Sequence, residues 1–225
     1  MWPRGCVGEI GIKIHRVSEE KKSFVISAIL LGAGEGNRMG RDKLSLPLGK
    51  RTVFQRSLET LVRSEVDEVI VVVREEPGDW KDHVKDKKVR FVLNPDYRRG
   101  MSTSVRRGIH AIHPKSRGIL IALGDQPFLK SRTIDALIRA FLKARGSIVL
   151  PSYRGKRGHP VLFDRSYKKG LLQLEGDVGG RSVIEKHSER VVAVRTRSKA
   201  VIQDIDTWKD YEKACKMKAG TRHKG

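Results

Sequence analysis

The glycines and cations between Gly32 and Lys43 predict a loop that binds an anion. In the stretch ILLGAGEGNRMGRDK an apolar run ends in Gly32, Gly34 and Gly36, and Arg38 and Lys43 follow. Glycine lets backbone N–H groups approach an anion without hindrance from a side chain. Arginine can place a fork of donors on phosphate oxygens, and lysine adds a mobile point charge. We expect a phosphate-binding loop, whereas an ordinary turn with surface cations is the alternative.

The spacing of this loop excludes two common nucleotide-binding motifs. A dinucleotide motif G-x-G-x-x-G that starts at Gly32 needs a glycine where the chain has Asn37. A Walker loop needs lysine directly after its second glycine, but Gly40 is followed by Arg41. The loop therefore belongs to a different kind of phosphate site.

Two acidic motifs supply candidate ligands for a metal ion. Asp125 lies in GDQP, directly after the apolar run Gly118–Leu123, and Asp204 and Asp206 lie in DIDT. Alternation along an extended chain puts Asp204 and Asp206 on one face. Mg²⁺ prefers oxygen ligands and bridges phosphate oxygens, so we predict a Mg²⁺ site beside the loop. The alternatives are a turn at Asp125 and a helix cap at Asp206 or Thr207.

Alternating apolar runs and amphipathic segments indicate an α/β fold with right-handed crossovers. Short, β-branched runs predict strands of a parallel sheet at Phe24–Leu31, Glu68–Val73, Val89–Leu93 and Gly118–Leu123. Apolar positions spaced three and four residues apart predict helices at Val53–Ser64 and Ser102–His113. An N-cap residue at Ser131 and a C-terminal stop at Gly146 predict a third helix at Ser131–Ala144. Ligands of such sheets bind beyond the carboxyl ends of the strands, where the glycine loop and Asp125 lie.

The pattern loosens after Leu150, where short strands and helices alternate less regularly. This half could add antiparallel strands to the sheet or form a small substrate-binding lobe. No linker, repeat or low-complexity segment interrupts the chain. We expect one domain over residues 22–218, with an N-terminal extension at 1–21 and a basic tail at 219–225.

The formal charge of +21 raises the question of a nucleic-acid partner. Lysine and arginine are scattered along the 225 residues, with aspartate and glutamate interleaved, which favours a small anionic substrate. No apolar run reaches the roughly 18 residues of a membrane span. The N-terminus also lacks the apolar stretch of a signal peptide, so we expect a cytoplasmic protein that does not bind membranes.

The motif L-x-A-G-x-x-x-R-M-G-x-x-K resembles the signature of the MobA/MocA-like nucleotidyltransferases, which act on molybdopterin. The resemblance continues, in the order and spacing of that family, through NPDYRRGMSTSVRRG, LGDQP, GKRGHPVLF, GDVGGR and DIDTWKDY. It is strongest to the molybdenum cofactor cytidylyltransferases within the family. It implies a Rossmann-like, three-layer nucleotidyltransferase fold with a mostly parallel central sheet.

The resemblance also implies an activity and a set of site residues. The activity would be Mg²⁺-dependent transfer of CMP from CTP to the phosphate of molybdopterin (the molybdenum cofactor), with release of pyrophosphate. Arg38, Lys43 and Asp125 would be catalytic, and Asp125 and Asp206 would hold the metal. The nucleotide-binding residues would be Leu31, Gly32, Ala33, Gly34, Gly36, Arg38, Lys43, Asn94, Gly100, Met101, Ser102 and Asp125. The acceptor-binding residues would be Lys156, Arg157, His159, Asp177 and Arg181.

Several alternatives to this activity stay open. The guanylyl branch of the family commonly has a second glycine where this chain has Ala33, so we expect CTP rather than GTP, with another NTP as the alternative. A sugar-phosphate nucleotidyltransferase would share the loop and the metal site but not the GHPVLF and GDVGGR motifs. A non-catalytic cofactor carrier and a nucleic-acid-binding module are the remaining alternatives. The product would pass to a molybdenum hydroxylase or its chaperone.

Overall fold

One eight-stranded sheet joins strands from both halves of the chain. The computed structural model describes residues 24–34, 39–40, 42–76 and 86–220. Its strands are β1 (Val25–Gly32), β2 (Pro47–Leu48), β3 (Arg51–Thr52), β4 (Glu68–Val73), β5 (Val89–Leu93), β6 (Ser116–Leu123), β7 (Ile148–Tyr153), β8 (Lys156–Arg157), β9 (Val161–Asp164) and β10 (Val191–Arg195). Strands β2 and β3 form a separate antiparallel ribbon.

The strand order is β10-β7-β9-β6-β1-β4-β5, with β8 paired beside β7. Strands β6, β1, β4 and β5 run parallel, as the continuous apolar runs predict. Strand β9 runs antiparallel between β6 and β7, and β10 is parallel to β7. The second half of the chain therefore extends the same sheet, and the predicted α/β fold with a mostly parallel central sheet is confirmed.

Helices cover both faces of the sheet, which gives three layers. They are α1 (Val53–Val62), α2 (Met101–Ala111), α3 (Ser131–Lys143), α4 (Lys168–Leu172), α5 (Arg181–Lys186) and α6 (Trp208–Gly220). Apolar residues of α1, α3 and α6 form the core on one face, and those of α2, α4 and α5 form the core on the other. No helix in the described parts of the chain combines the length and apolar character needed to cross a membrane.

Alternate side chains along β1 contribute to the two hydrophobic cores. Ala28 and Leu30 belong to the core under α1 and α3, whereas Ile29 and Leu31 belong to the core under α2. Successive side chains of a strand point to opposite faces, so a strand with helices on both sides must be apolar throughout. The unbroken run that predicted this strand is thus a consequence of its central position.

Helix α1 begins at a capping box that follows the β2–β3 ribbon. The hydroxyl of Thr52 accepts a hydrogen bond from the N–H of Gln55, and the Gln55 side chain accepts one from the N–H of Thr52. A cap of this kind stabilises a helix by about 1 kcal/mol. It also fixes the start of α1, where the buried ring of Phe54 packs against the ends of β1 and β6.

The order of the strands creates a crevice at the end of β1. From β1 the chain forms β4 and β5 on one side and then returns to form β6 on the other side. Leu31 and Leu123 are paired at the carboxyl ends of β1 and β6, and the N–H of Gly124 donates to the carbonyl of Leu31. In open α/β sheets this reversal point is where ligands bind.

Candidate active site

A cleft of about 550 Å³ opens at the carboxyl ends of β1 and β6. It brings together the glycine loop, the start of α2, and the GDQP, GDVGGR and DIDT motifs. Its described lining residues are Leu31, Ala33, Gly34, Lys43, Leu44, Tyr97, Arg98, Gly100, Met101, Ser104, Leu123, Gly124, Asp125, Asp177, Asp204 and Asp206. Most of the motifs singled out from the sequence thus meet in one place.

The ammonium of Lys43 lies between the carboxylates of Asp125 and Asp206. It donates to Asp125 Oδ2 at 2.7 Å and to Asp206 Oδ1 at 2.6 Å. The side chains of Lys43 and Asp125 are only 18% and 17% exposed, so solvent weakens their attraction much less than at an open surface. Two aspartates that are far apart in the sequence therefore share one cation.

Backbone contacts position the DIDT motif beside strand β6. The N–H of Ile205 donates to the carbonyl of Asp125 at 3.1 Å, and the Ile205 side chain is buried in the core. Thr207, rather than Asp206, caps α6, because its hydroxyl and the Asp210 carboxylate each accept a hydrogen bond from the other's backbone N–H. The carboxylate of Asp206 meets Lys43 instead of the helix.

The described lining of the cleft is acidic although the chain as a whole is strongly basic. Its described lining contains four aspartates and two basic side chains, those of Lys43 and Arg98. Burial would lower the pKa of Lys43, but the charges and hydrogen bonds of Asp125 and Asp206 outweigh it and raise that pKa. Partial burial, with the nearby charges of Asp206 and Asp125, raises the pKa of Asp204. An acidic cleft needs additional positive charge to accept a polyphosphate.

The carboxylates at this position fit a divalent cation. Asp125 Oδ1 is buried and has no hydrogen-bond partner among the described residues, so it can still accept a ligand. Oxygen donors of this kind suit Mg²⁺ and Mn²⁺. The described parts of the chain contain no group of three or more histidine, cysteine, aspartate or glutamate side chains arranged to hold an ion. The protein thus offers the two carboxylates of Asp125 and Asp206.

The glycines of the predicted phosphate loop have different surroundings. A Cβ on Gly32 would lie 2.5 Å from the Phe54 ring, so packing already requires glycine there. Gly34 lines the cleft, and a Cβ there would meet none of the described residues within 4 Å, as expected for a residue whose backbone contacts a ligand. Gly36 and Arg38 lie outside the described residues.

The start of α2 forms the opposite wall of the cleft. Gly100 has φ of 104°, and a Cβ there would lie 2.4 Å from the backbone of Gly176. The carboxylate of Asp177 accepts a hydrogen bond from the N–H of Met101 at 3.3 Å, and the N–H of Ser102 donates to the carbonyl of Gly176. The motif assigned to the nucleotide and the motif assigned to the acceptor are therefore in direct contact.

Two of the predicted nucleotide-binding residues lie behind this wall. Asn94 is fully buried, and its amide donates to the hydroxyls of Thr103 and Ser104. Ser102 is also buried, and its hydroxyl has no hydrogen-bond partner among the described residues. Neither belongs to the described cleft lining, whereas Ser104, which the sequence analysis left out, does.

The predicted acceptor-binding residues are spread over a wider surface. Lys156 and Arg157 are exposed on β8, and Arg181 is exposed at the start of α5, where it pairs with Glu185 at 2.8 Å. The N–H of His159 donates to the carbonyl of Val201, shortly before Asp204. Of the five predicted acceptor residues, only Asp177 is among the described residues that line the cleft.

His159 has a buried imidazole nitrogen. Its Nδ1 has no hydrogen-bond partner in the described part of the chain. Burial lowers the pKa of His159, and the charge of Asp204 opposes that shift only in part. The neutral imidazole is therefore favoured in the folded protein.

Arg74 lies outside the described cleft lining but contacts the glycine loop, and the sequence analysis missed it. Its guanidinium donates to the carbonyl of Gly34 and pairs with the carboxylate of Asp42, both at 3.2 Å. It thus connects two residues on either side of the glycine loop. Arg74 directly follows strand β4, so the rule that ligands bind at carboxyl ends of strands could have identified it.

Three relatives show what kinds of protein the chain is similar to. It is 30% identical over 190 residues to nicotine blue oxidoreductase of Paenarthrobacter nicotinovorans, covering 81% of this chain and 92% of that protein. It is 33% identical over 156 residues to a probable molybdenum cofactor guanylyltransferase of Methanosarcina acetivorans, covering 66% and 67%. It is 25% identical over 187 residues to the molybdenum cofactor cytidylyltransferase of Escherichia coli, covering 83% and 93%.

Solved structures share the fold. Rv0371c of Mycobacterium tuberculosis superimposes with a TM-score of 0.75 at 25% identity, covering 86% of this chain and 99% of that chain. The same protein in complex with manganese gives 0.69 at 26% identity, with the same coverage. A nucleotidyl transferase from Methanothermobacter gives 0.74 at 25% identity, covering 88% and 99%.

A family model decides the assignment. Residues 28–191, well over half of the chain, match the MobA-like NTP transferase domain. That stretch contains β1 from Ala28 onward, the glycine loop, the start of α2 and Asp125, so the match includes most of the cleft. The predicted enzyme class, nucleotidyltransferase, is confirmed. The chain belongs to the MobA-like NTP transferase family.

Proposed function

We propose that this protein transfers CMP from CTP to the terminal phosphate of molybdopterin and releases pyrophosphate. The observation that carries the proposal is the meeting of Asp125 and Asp206 on the ammonium of Lys43, beside Gly34 in the cleft. A nucleotidyl transfer needs two kinds of group together, cations for the phosphates and carboxylates for a metal ion. The same cleft contains both.

The nucleotide would lie between the end of β1 and the start of α2. No described residue lies within 4 Å of where a Cβ of Gly34 would be, which supports an approach of its backbone to the triphosphate. The base would face Gly100, Met101 and Ser104 on the opposite wall. Asn94 would act from behind, because its amide holds the hydroxyls on the first turn of α2 in place.

Asp125 and Asp206 would hold a divalent ion, Mg²⁺ in our proposal. Such an ion supplies positive charge to the phosphate oxygens when it is bound. A relative of this fold has been solved in complex with manganese, which supports a divalent site in this architecture. The phosphates of the nucleotide would complete the set of oxygen ligands that two carboxylates leave incomplete.

The proposed reaction requires mainly that the protein position the two substrates. The acceptor's phosphate oxygen would attack the α-phosphorus of CTP, the bond to the β-phosphate oxygen would break, and pyrophosphate would leave. A phosphate monoester is already a competent nucleophile at neutral pH, so no general base is needed. Lys43 and the amide of Gly34 would attract the negative charge that builds up on the leaving group, together with Arg38.

The acceptor would enter from the side of Asp177. This carboxylate lies at the cleft, and Arg181, Lys156 and Arg157 are exposed cations outside the described cleft lining that would attract a phosphorylated pterin. His159 would contribute from beneath, through its position next to the DIDT motif. The product would then pass to a molybdenum hydroxylase or its chaperone.

Ala33 supports CTP over GTP. Its side chain is 4% exposed, and it lines the cleft where the nucleotide would lie. A methyl group in a tight pocket discriminates by about tenfold or more between ligands of different size. Guanylyl transfer to the same cofactor is the second candidate, because a relative at 33% identity is named as a probable guanylyltransferase.

A nucleotide panel would test the proposal. Purified protein is incubated with molybdopterin, Mg²⁺ and CTP, GTP, UTP or ATP, and pyrophosphate release is measured. We expect release with CTP that depends on molybdopterin, and an Ala33→Gly variant whose CTP-to-GTP preference falls by about tenfold. Faster release with GTP would replace CMP by GMP in the proposal. No acceptor-dependent release with any nucleotide would refute it.

A further inference from the structure

Lys43 occupies the space between the two carboxylates that a divalent ion would need. Its ammonium is 2.7 Å from Asp125 Oδ2 and 2.6 Å from Asp206 Oδ1. We propose that Lys43 is an internal counter-ion, which a divalent ion displaces from these carboxylates and which then binds the phosphates of the incoming nucleotide. The inference rests on the proposed function. It adds that a bound metal ion increases the affinity of the cleft for the nucleotide, and that a bound nucleotide increases its affinity for the metal ion.

The charges in the cleft explain why Lys43 can serve the protein both before and after a metal ion binds. The carboxyl groups of Asp125, Asp204 and Asp206 all line the cleft, and the ammonium of Lys43 bonds to two of them. Without a cation, three carboxylates in a partly buried cleft would repel one another, at a cost that rises as solvent is excluded. Lys43 therefore keeps the carboxylates together before any metal arrives.

The same arrangement opposes metal binding in the absence of a nucleotide. An ion that takes the place between Asp125 Oδ2 and Asp206 Oδ1 must break two short, charge-assisted hydrogen bonds. The Lys43 side chain is only 18% exposed, so its displaced ammonium regains little hydration unless it moves. A triphosphate in the cleft supplies the oxygens that the displaced ammonium needs.

The local structure lets the ammonium move while the backbone stays in place. The backbone around Lys43 is held by Asp42, whose side chain accepts from the N–H of Leu44 at 3.1 Å and whose carbonyl accepts from that of Ser45 at 3.2 Å. Asp42 is in turn paired with Arg74. Lysine carries its charge on a flexible four-carbon stem, so the ammonium can exchange partners without a change in the loop.

Binding of Mn²⁺ alone provides a test that needs no catalytic turnover. Free Mn²⁺ is counted by electron paramagnetic resonance during titration of nucleotide-free protein. We expect Lys43→Met to bind one Mn²⁺ about tenfold more tightly than the unchanged protein, since it removes the competing charge. Lys43→Arg keeps the charge and should bind as weakly as the unchanged protein. Lys50→Met, an exposed lysine in the β2–β3 turn, is the matched control and should change nothing.

Thermal unfolding in EDTA gives a second readout. Lys43→Met should melt at a lower temperature than the unchanged protein, because it loses the ammonium that bonds to both carboxylates. Mn²⁺ should raise the melting temperature of Lys43→Met by more than it raises that of the unchanged protein. If Lys43→Met does not fold, Lys43→Gln is used in both measurements.

Two outcomes would overturn the inference. One is equal or weaker Mn²⁺ binding by the neutral variants. The other is Mn²⁺ binding that survives Asp125→Asn combined with Asp206→Asn, since the ion would then bind elsewhere. Neither outcome depends on pyrophosphate release. A failure of the nucleotide panel would refute the proposed function and leave the Mn²⁺ result to be judged separately.

Discussion

The N–H of Ile205 donates a hydrogen bond to the carbonyl of Asp125 at 3.1 Å. This contact attaches the DIDT motif to the end of strand β6. Asp206, the next residue, can then reach the same lysine as Asp125, although Lys43 precedes them by 163 and 82 positions. The bond involves only backbone atoms of Asp125, so its carboxylate can be changed without breaking the link.

Asp125→Asn should separate catalysis from folding. Asparagine keeps the volume and the backbone bond to Ile205 but loses the charge that attracts Lys43 and a metal ion. We expect the rate of pyrophosphate release to fall by about 10²–10³-fold, the effect of losing a major electrostatic contact. The melting temperature should change little, because Asp206 still neutralises Lys43. If Asp125→Asn loses turnover because it no longer folds, the result does not support a catalytic role for Asp125.

Asp135→Asn is the matched control for that experiment. This carboxylate lies on α3, away from the cleft, and accepts a hydrogen bond from the N–H of Glu65. Its loss should reduce stability slightly and leave turnover unchanged. A similar fall in turnover for both variants would contradict a specific role for Asp125.

Strand β4 was predictable from sequence because the sheet buries it on both faces, and the partly exposed edge strand β5 because polar segments bound its apolar run. Glu68–Val73 and Val89–Leu93 have the predicted bounds, since each is a short, nearly continuous apolar run between polar segments. The ends of helices were less predictable: α2 begins at Met101 rather than at Ser102, because its start is fixed by distant contacts with Gly176 and Asp177.

Site residues were predictable as a group, but their individual contacts were not. The motif spacing indicated that Lys43 and the aspartates belong to one site. It could not show that Lys43 touches both carboxylates, because that depends on the packing of a segment far away in the chain. The same limit applies to Gly32, whose requirement for glycine comes from the Phe54 ring as much as from a ligand.

Asp177→Ala should affect both substrates. Its carboxylate lies at the cleft and accepts a hydrogen bond from the N–H of Met101 at the start of α2. Removing it should loosen the wall that faces the nucleotide as well as the entrance for the acceptor. We expect KM to rise severalfold for CTP and for molybdopterin, with a smaller change in kcat.

Arg181→Ala distinguishes an effect on acceptor binding from an effect on nucleotide binding. This arginine is exposed and pairs with Glu185, within the same helix, rather than with α2. Its loss should raise KM for molybdopterin only. If Asp177→Ala also changes only the acceptor's KM, the contact with Met101 has no role in nucleotide binding.

Gly100→Ala should destabilise the protein. Gly100 has φ of 104°, and a Cβ would lie 2.4 Å from the backbone of Gly176, which cannot rotate away as a side chain could. We expect the free energy of unfolding to fall by about 2–4 kcal/mol, from backbone strain and overpacking together, as measured by urea denaturation.

Gly146→Ala separates the cost of backbone strain from the cost of a close approach such as that of residue 100 to Gly176. Gly146 also has a positive φ, 68°, but has open space where a Cβ would lie. Its substitution should cost only the conformational strain, about 1 kcal/mol. Equal losses in the two variants would mean that the contact with Gly176 does not restrict residue 100.

His159 should make the stability of the protein depend on pH. Burial lowers the pKa of His159 in the folded state below its ordinary value of 6.5, with Asp204 opposing the shift only in part. Below about pH 6.5 the unfolded chain therefore binds a proton that the folded chain does not. This contribution to stability is complete above the ordinary pKa and is lost as the pH falls through the lowered one.

His159→Gln should flatten the fall in unfolding free energy between pH 6.5 and 5, measured by urea denaturation at each pH, by up to about 1.4 kcal/mol per pH unit. His110→Gln, on the exposed face of α2, is the control and should leave the slope as it is. Equal slopes for the unchanged protein and His159→Gln would show that the imidazole is as easily protonated in the folded chain as in the unfolded one.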